Sequence, residues 1–249
     1  KNPSPCGNIL KKWIKVYLKI IKRISTKVLF SFLFHSRSYH LSKFFYSGRG
    51  SILMFHRVCP DKSKQRIRGN AGLEVTPEYL ENTIEFLRQN NYEIVSLSQA
   101  AKILNEGYKE KKFAVFTFDD GYSDNFIHAY PILKKHRVPF TVYVTTNFPD
   151  GKAVLWWYLL EDLILKETII EFQLNGQKYK FFCAHLWQKE WAYQEIHRLI
   201  LNSSSSNLNQ RIRQVFENYE IDFHKKTSEL ALTWEQIREM SEDPLVEIG

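Results

Sequence analysis

Phe113-Ala114-Val115-Phe116-Thr117-Phe118-Asp119-Asp120-Gly121 is an apolar run that ends abruptly in two adjacent carboxylates and a glycine. The run reads as a strand. Strands that end this way deliver charge to the rim of a sheet, where active sites of α/β proteins are built. Gly121 lets the backbone turn sharply there without a side chain crowding the rim.

Working outward from this stretch, short apolar runs alternate with helical stretches from residue 50 onward, the signature of βα units. Ser51–Phe55 reads as a strand. Thr76 caps a helix that has Pro77 at its first position, Leu80, Ile84 and Leu87 on its apolar face, and Asn90-Asn91 as its stop. Tyr92–Leu97 reads as a second strand, and Ser98–Leu104 as a short helix closed near Gly107. After the Asp pair comes a helical stretch to His136, with Pro131 at a helix start. Phe140–Thr145 and Leu245–Ile248 read as further strands. Five strands do not close a parallel barrel, for which about eight are typical. The expected fold is therefore α/β, an incomplete (β/α) barrel.

Between Trp156 and Trp234 the rhythm breaks. A hairpin is expected from Ile169–Phe172 through the Asn175-Gly176 turn to Lys178–Phe182. Helices are expected around Trp187–Leu201 and Arg211–Tyr219, with Ser203–Ser206 as a loop. Residues 155–235 read as a helical insertion in a domain spanning 50–249, either shaping a site or elaborating the structure. Trp156-Trp157 reads as an aromatic stacking platform or as an anchor for the insertion.

Charge is unevenly spread. Residues 1–50 hold eleven Lys or Arg and no Asp or Glu, which leaves 24 basic against 27 acidic residues beyond them. The body is mildly acidic and carries no recognised nucleic-acid motif, so nucleic acid is not an expected partner. Residues 1–49 read as a basic amphipathic tail. Within it, apolar residues from Trp13 to Val28 recur at helical spacing among lysines. Such a helix, over residues 9–34, would contact a membrane surface. Packing on the rest of the protein, or a signal segment, are the alternatives. The expected localisation is membrane-associated, with cytoplasmic as the alternative. No run approaches the roughly 20 apolar residues of a spanning helix. Cys6, Cys59 and Cys183 give neither a disulfide framework nor a zinc spacing.

Five stretches occur together in order: Met54-Phe55-His56-Arg57-Val58, Thr117 to Tyr122, Ala129 to Leu133, Val138 to Thr141, and Val246 to Gly249. In these the chain resembles the polysaccharide deacetylases, the NodB-homology group of carbohydrate esterase family 4. The resemblance covers about residues 50–155 and 232–249. It implies a metal-dependent hydrolase that removes N-acetyl groups from an amino sugar in a glycan or glycolipid. Asp119 would be the general base and Asp120 a metal ligand. A bound divalent metal lowers the pKa of its water toward about 7 and polarises the carbonyl. Two histidines of a His-Ser/Thr-x-x-His motif would complete the shell, for which zinc is suited. That motif follows a strand ending in Gly, as at Leu245–Gly249, where this sequence stops. The expectation is thus an N-terminal portion, catalytically incomplete by itself.

His56 follows the first strand on the same rim. In relatives acting on poly-N-acetylglucosamine a histidine here lines the active site; the alternative is a histidine bonded to backbone. His128, His136, His185 and His197 are expected to be solvated or packed. A competing reading is a degenerate, non-catalytic glycan- or membrane-binding protein. A phosphohydrolase, with a nucleophilic Asp two residues before a second Asp, does not fit.

Overall fold

The computed structural model describes residues 26, 28–33, 35–37, 48–60, 66–107, 112–202 and 207–249. The chain divides into two units, residues 1–50 and 51–249. In the first, residues 28–33 are helical, with Val28, Leu29, Phe30 and Phe32 exposed. The rest of the expected tail helix, Cys6 and the Ser203–Ser206 loop lie outside the described residues.

The second unit runs β1 (Gly50–Phe55), β2 (Arg57–Val58), α1 (Arg68–Ala71), β3 (Glu74–Val75), α2 (Pro77–Gln89), β4 (Glu93–Ile94), α3 (Leu97–Glu106) and β5 (Phe113–Phe118). A π-helical turn (Asn125–Ala129), α4 (Tyr130–Lys135) and β6 (Phe140–Val142) follow. Next come α5 (Trp156–Lys166), the strands β7 (Ile169–Leu174) and β8 (Gln177–Phe182), α6 (Leu186–Asn202) and α7 (Leu208–Phe216). The chain ends with α8 (Lys225–Leu230), α9 (Trp234–Ser241) and β9 (Val246–Ile248).

A five-stranded sheet is ordered β1-β5-β6-β9, with β4 also on β5. The β4–β5, β5–β6 and β6–β9 pairs are parallel, and the register sets Phe118 beside Val142 and Val142 beside Ile248. Among the described residues this α/β sheet does not close. All six residues of β5 are buried, as expected where helices cover a parallel sheet. Its core joins Phe55, Phe116, Phe118 and Phe140 to Leu80, Ile84 and Leu87 of α2, Leu133 of α4 and Ile237 and Met240 of α9. Phe55 stacks on Phe116 and Phe118 at ring-centroid distances of 5.7 and 5.4 Å.

Four strand and helix boundaries differ clearly from expectation. The second strand covers only Glu93–Ile94, because the Ser96 side chain accepts from Gln99 N–H and Gln99 accepts in return from Ser96 N–H. This capping box starts the helix at Leu97, one residue before the expected Ser98. The strand at Phe140 stops at Val142, after which Tyr143 N–H reaches back to Phe118 O. The helix expected from Arg211 starts earlier, at Leu208, because Asn207 accepts from Gln210 N–H.

Residues 156–216 form a second core. Trp156, Leu160, Leu163 and Ile164 of α5 meet Ile170 and Phe172 of the antiparallel β7–β8 hairpin, Tyr193, Ile196 and Ile200 of α6, and Ile212, Val215 and Phe216 of α7. Trp156 is 6% exposed and its ring lies 4.9 Å from that of His197. It is a hydrophobic anchor rather than a stacking platform, and burial pushes the His197 pKa down.

Candidate active site

β5 ends where the sheet opens. Asp119 N–H donates to Phe55 O at 2.8 Å, fixing the end of β5 to the end of β1. The next two residues are both left-handed: Asp120 at φ 75° and Gly121 at φ 84°. A methyl added at Gly121 would meet Val144 and Leu232 only at ordinary contact distances, 3.6 to 3.8 Å. Glycine is therefore favoured by conformation rather than space. Asp120 is a non-glycine residue in the same region, which costs roughly 1–2 kcal/mol. Strain of this kind persists only where the surroundings hold it. Here Thr145 N–H donates to Asp120 O, Leu232 N–H donates to Gly121 O at 2.9 Å, and Tyr122 bridges to Ala231.

This turn aims the Asp120 carboxylate at His56, whose Nδ1 lies 3.1 Å from Oδ2. A carboxylate can only accept, so Nδ1 carries the proton. Both side chains are part-exposed, 22% for His56 and 35% for Asp120, so the pair stands at the rim and open to a ligand. His56 and Asp120 thus come together, Asp119 is described through its backbone bond to Phe55 O, and the bond the His56 ring makes is to Asp120.

Beneath the rim lies a charged chain that sequence reasoning missed. Arg57 Nε donates to Asp124 Oδ2 at 2.7 Å and Arg57 Nη1 to Glu74 Oε1 at 2.8 Å. Glu74 also accepts from Arg66, which reaches Glu161 on α5. Glu161, 2% exposed, additionally accepts from Ile67 N–H and Asn70 Nδ2. Burial works against the charge of Arg57, yet Asp124 beside it holds the guanidinium protonated well above its ordinary value. Its carbon also sits 5.4 and 5.3 Å from the ring centres of Tyr122 and Tyr158. Burial, and then Asp124, push the Cys59 thiol up to about 12. In the sequence Arg57 directly follows His56, and Asp124 sits between Ser123 and Asn125 four residues beyond Asp120, a placement that does not mark the two as a pair.

The other histidines singled out in the sequence find separate surroundings, His128 half-buried in the π-helical turn. His136 Nε2 pairs with Glu81 at 2.7 Å, His197 is packed in the second core, and His185 is exposed. Among the described residues no group of three or more His, Cys, Asp or Glu side chains could hold a metal. Asp120 offers one donor, which does not make a closed metal site.

The chain is 29% identical over 137 residues to YxkH of Bacillus subtilis, a protein named as a polysaccharide deacetylase, covering 50% of this chain and 44% of that one. It is 24% identical over 131 residues to a Staphylococcus aureus poly-beta-1,6-N-acetyl-D-glucosamine N-deacetylase, covering 53% of this chain and 41% of that one. It therefore spans less than half the length of these curated relatives. Among solved structures, a de-N-acetylase from Aggregatibacter actinomycetemcomitans aligns at 20% identity and a TM-score of 0.43, covering 80% of this chain and 53% of that one. The polysaccharide deacetylase family model matches residues 106–249, from before β5 through β9. By that match over more than half its length, the chain belongs to the polysaccharide deacetylase family.

Proposed function

We propose that this fold serves hydrolytic removal of N-acetyl groups from an amino sugar in a glycan or glycolipid. The observation that carries the reading is the rim itself, where His56 Nδ1 lies 3.1 Å from an Asp120 carboxylate held in a left-handed turn at the end of β5. In this reading Asp119 is the general base, Asp120 donates one carboxylate oxygen to a divalent metal, and His56 lines the acetamide site. A neighbouring carboxylate suits the base role because it can take a proton within hydrogen-bond reach of the reacting group. Zinc is the proposed metal, and it would supply charge to polarise the acetamide carbonyl. One carboxylate is a partial donor set, so the further donors are not among the groupings of the described residues.

The test is acetate release from N-acetylglucosamine oligomers with and without zinc. Zinc-dependent release by the wild-type chain that Asp120→Asn abolishes supports the reading. Equal release by Asp120→Asn rejects the ligand role, and no release by the full-length protein rejects the activity. The alternative reading is a degenerate, non-catalytic glycan- or membrane-binding protein. It predicts retention of the oligomers without acetate release.

Residues 9–34 are proposed to contact a membrane surface, supported by the exposed Val28, Leu29, Phe30 and Phe32 within the helical residues 28–33. No helix among the described residues is long and apolar enough to cross a membrane. A membrane-associated localisation follows from this contact. It is overturned if a chain beginning at residue 46 distributes with anionic vesicles as the full chain does. Residues 155–235 are proposed as an insertion that shapes the glycan site.

A further inference from the structure

We propose that Asp124 is a positioning residue that holds the segment His56–Cys59 so that His56 Nδ1 stays on Asp120; the inference rests on reading the Asp119–Asp120 rim as the reactive site. Asp124 is 7% exposed. Its carboxylate takes donors from three consecutive residues that follow His56. Oδ1 accepts Val58 N–H at 3.1 Å, and Oδ2 accepts Arg57 Nε at 2.7 Å and the Cys59 thiol at 3.2 Å. The Asn125 amide, in the orientation that satisfies its neighbours, donates to His56 O at 3.0 Å. Two adjacent residues therefore grip four adjacent ones.

Backbone geometry explains the need. β2 pairs with β3 over only two residues. Arg57 N–H and Cys59 N–H reach Leu73 O and Val75 O, while Val58 N–H points the other way, where no described strand pairs with it. Asp124 stands in for the missing strand by supplying the acceptor that this N–H would otherwise lack. A buried N–H without an acceptor costs about 1–3 kcal/mol. Asp124 also lies four residues beyond Asp120, at the entrance to the π-helical turn Asn125–Ala129. Such turns recur where a helix is adjusted for a functional site. The carboxylate that faces His56 and the carboxylate that grips its neighbours therefore belong to one short stretch, pinned by the Tyr122–Ala231 bridge. Moving Asp124 moves His56 relative to Asp120.

The experiment is nitrogen-15 NMR of histidine-labelled protein, with the His56 ring assigned through His56→Gln, read beside zinc-dependent acetate release. In the wild type the Nδ1 proton is expected as a slowly exchanging, carboxylate-bonded signal. Asp124→Asn turns a donor toward Arg57 and Cys59. It is expected to remove that signal and to lower kcat about 10- to 100-fold, the usual effect of losing an outer-shell partner, with KM within about twofold. A His56 signal that survives in Asp124→Asn, even with a lowered melting temperature, shows a purely structural role and overturns the proposal. If the wild type releases no acetate, the deacetylase reading fails by itself, and the His56 signal still decides the role of Asp124. Should Asp124→Asn not fold, Arg57→Lys is read instead. It keeps the charge and loses the planar fork, and an unchanged His56 signal there overturns the proposal equally.

Discussion

The sheet region and the layer formed by residues 156–216 both bury charge, and they use it differently. In the layer, Lys189 is 8% exposed and its Nζ ends on the carbonyls of Ile164, Leu165 and Glu167, closing the C-terminal end of α5. Arg211 likewise donates to Ile200 O near the end of α6. These cations satisfy carbonyls that a helix end leaves without partners. At the sheet rim the contacts end on other side chains: the Arg57 charge on Asp124 and Glu74, and the His56 ring on Asp120. Buried charge that finishes on backbone carbonyls stabilises architecture. Buried charge that finishes on another side chain fixes the segment that carries it, here the residues that follow His56. Arg66, bonded to Glu74 and to Glu161, joins the two systems.

The largest effects should fall where the two regions meet. Glu161→Ala leaves Arg66, Ile67 N–H and Asn70 short of partners, and a broken buried pair costs about 3–5 kcal/mol. Arg66 keeps some contact with water, so the lower end is expected in urea unfolding. A loss below about 1 kcal/mol would show that the join is ornamental. Phe116→Ala in the sheet core should cost about 3–5 kcal/mol and Ile164→Ala in the second core about 2–5 kcal/mol. If only one of them shifts the main unfolding transition, the two cores unfold separately.

Gly121→Ala probes the turn under the rim. The added methyl meets no clash, so the expected cost is the conformational one, about 1–2 kcal/mol. A thermal melt showing no change would mean that the turn relaxes freely. Thr233→Ala removes the side-chain acceptor for Gln236 N–H in the capping box of α9. About 1 kcal/mol is expected from denaturant unfolding.

The smallest effect is in acid. The Asp243 carboxyl is held below its ordinary value of 3.8 by Leu245 N–H and by Lys134. A depressed carboxyl contributes stability above its unfolded pKa and loses it as pH falls through the lower folded value. The melting-temperature gap between wild type and Asp243→Asn should therefore shrink below about pH 4. A gap independent of pH would show that the charge of Asp243 contributes nothing.

β1, β5, the hairpin and the Asp119–Asp120 rim were legible because each depends on a local pattern: an apolar run, an Asn-Gly turn, carboxylates at a strand end. Leu97 misled because its apolar character continued the strand period, while the Ser96–Gln99 box, which decides the boundary, acts over three residues. α5 was missed because Trp156-Trp157-Tyr158-Leu159-Leu160 is apolar on every side, and a helix buried all round shows no amphipathic period. Arg57 and Asp124 look like ordinary charges in the sequence. Sixty-seven residues separate them, and only the fold reveals that their solvent is each other.

The most direct test of the central claim is a crystal of the chain soaked in zinc and measured at the zinc absorption edge. An anomalous peak is expected within coordination distance, about 2.0–2.2 Å, of an Asp120 carboxylate oxygen at the end of β5. Zinc bound elsewhere with the Asp120 carboxylate bare would contradict the assignment of this rim as the metal-binding edge of the site.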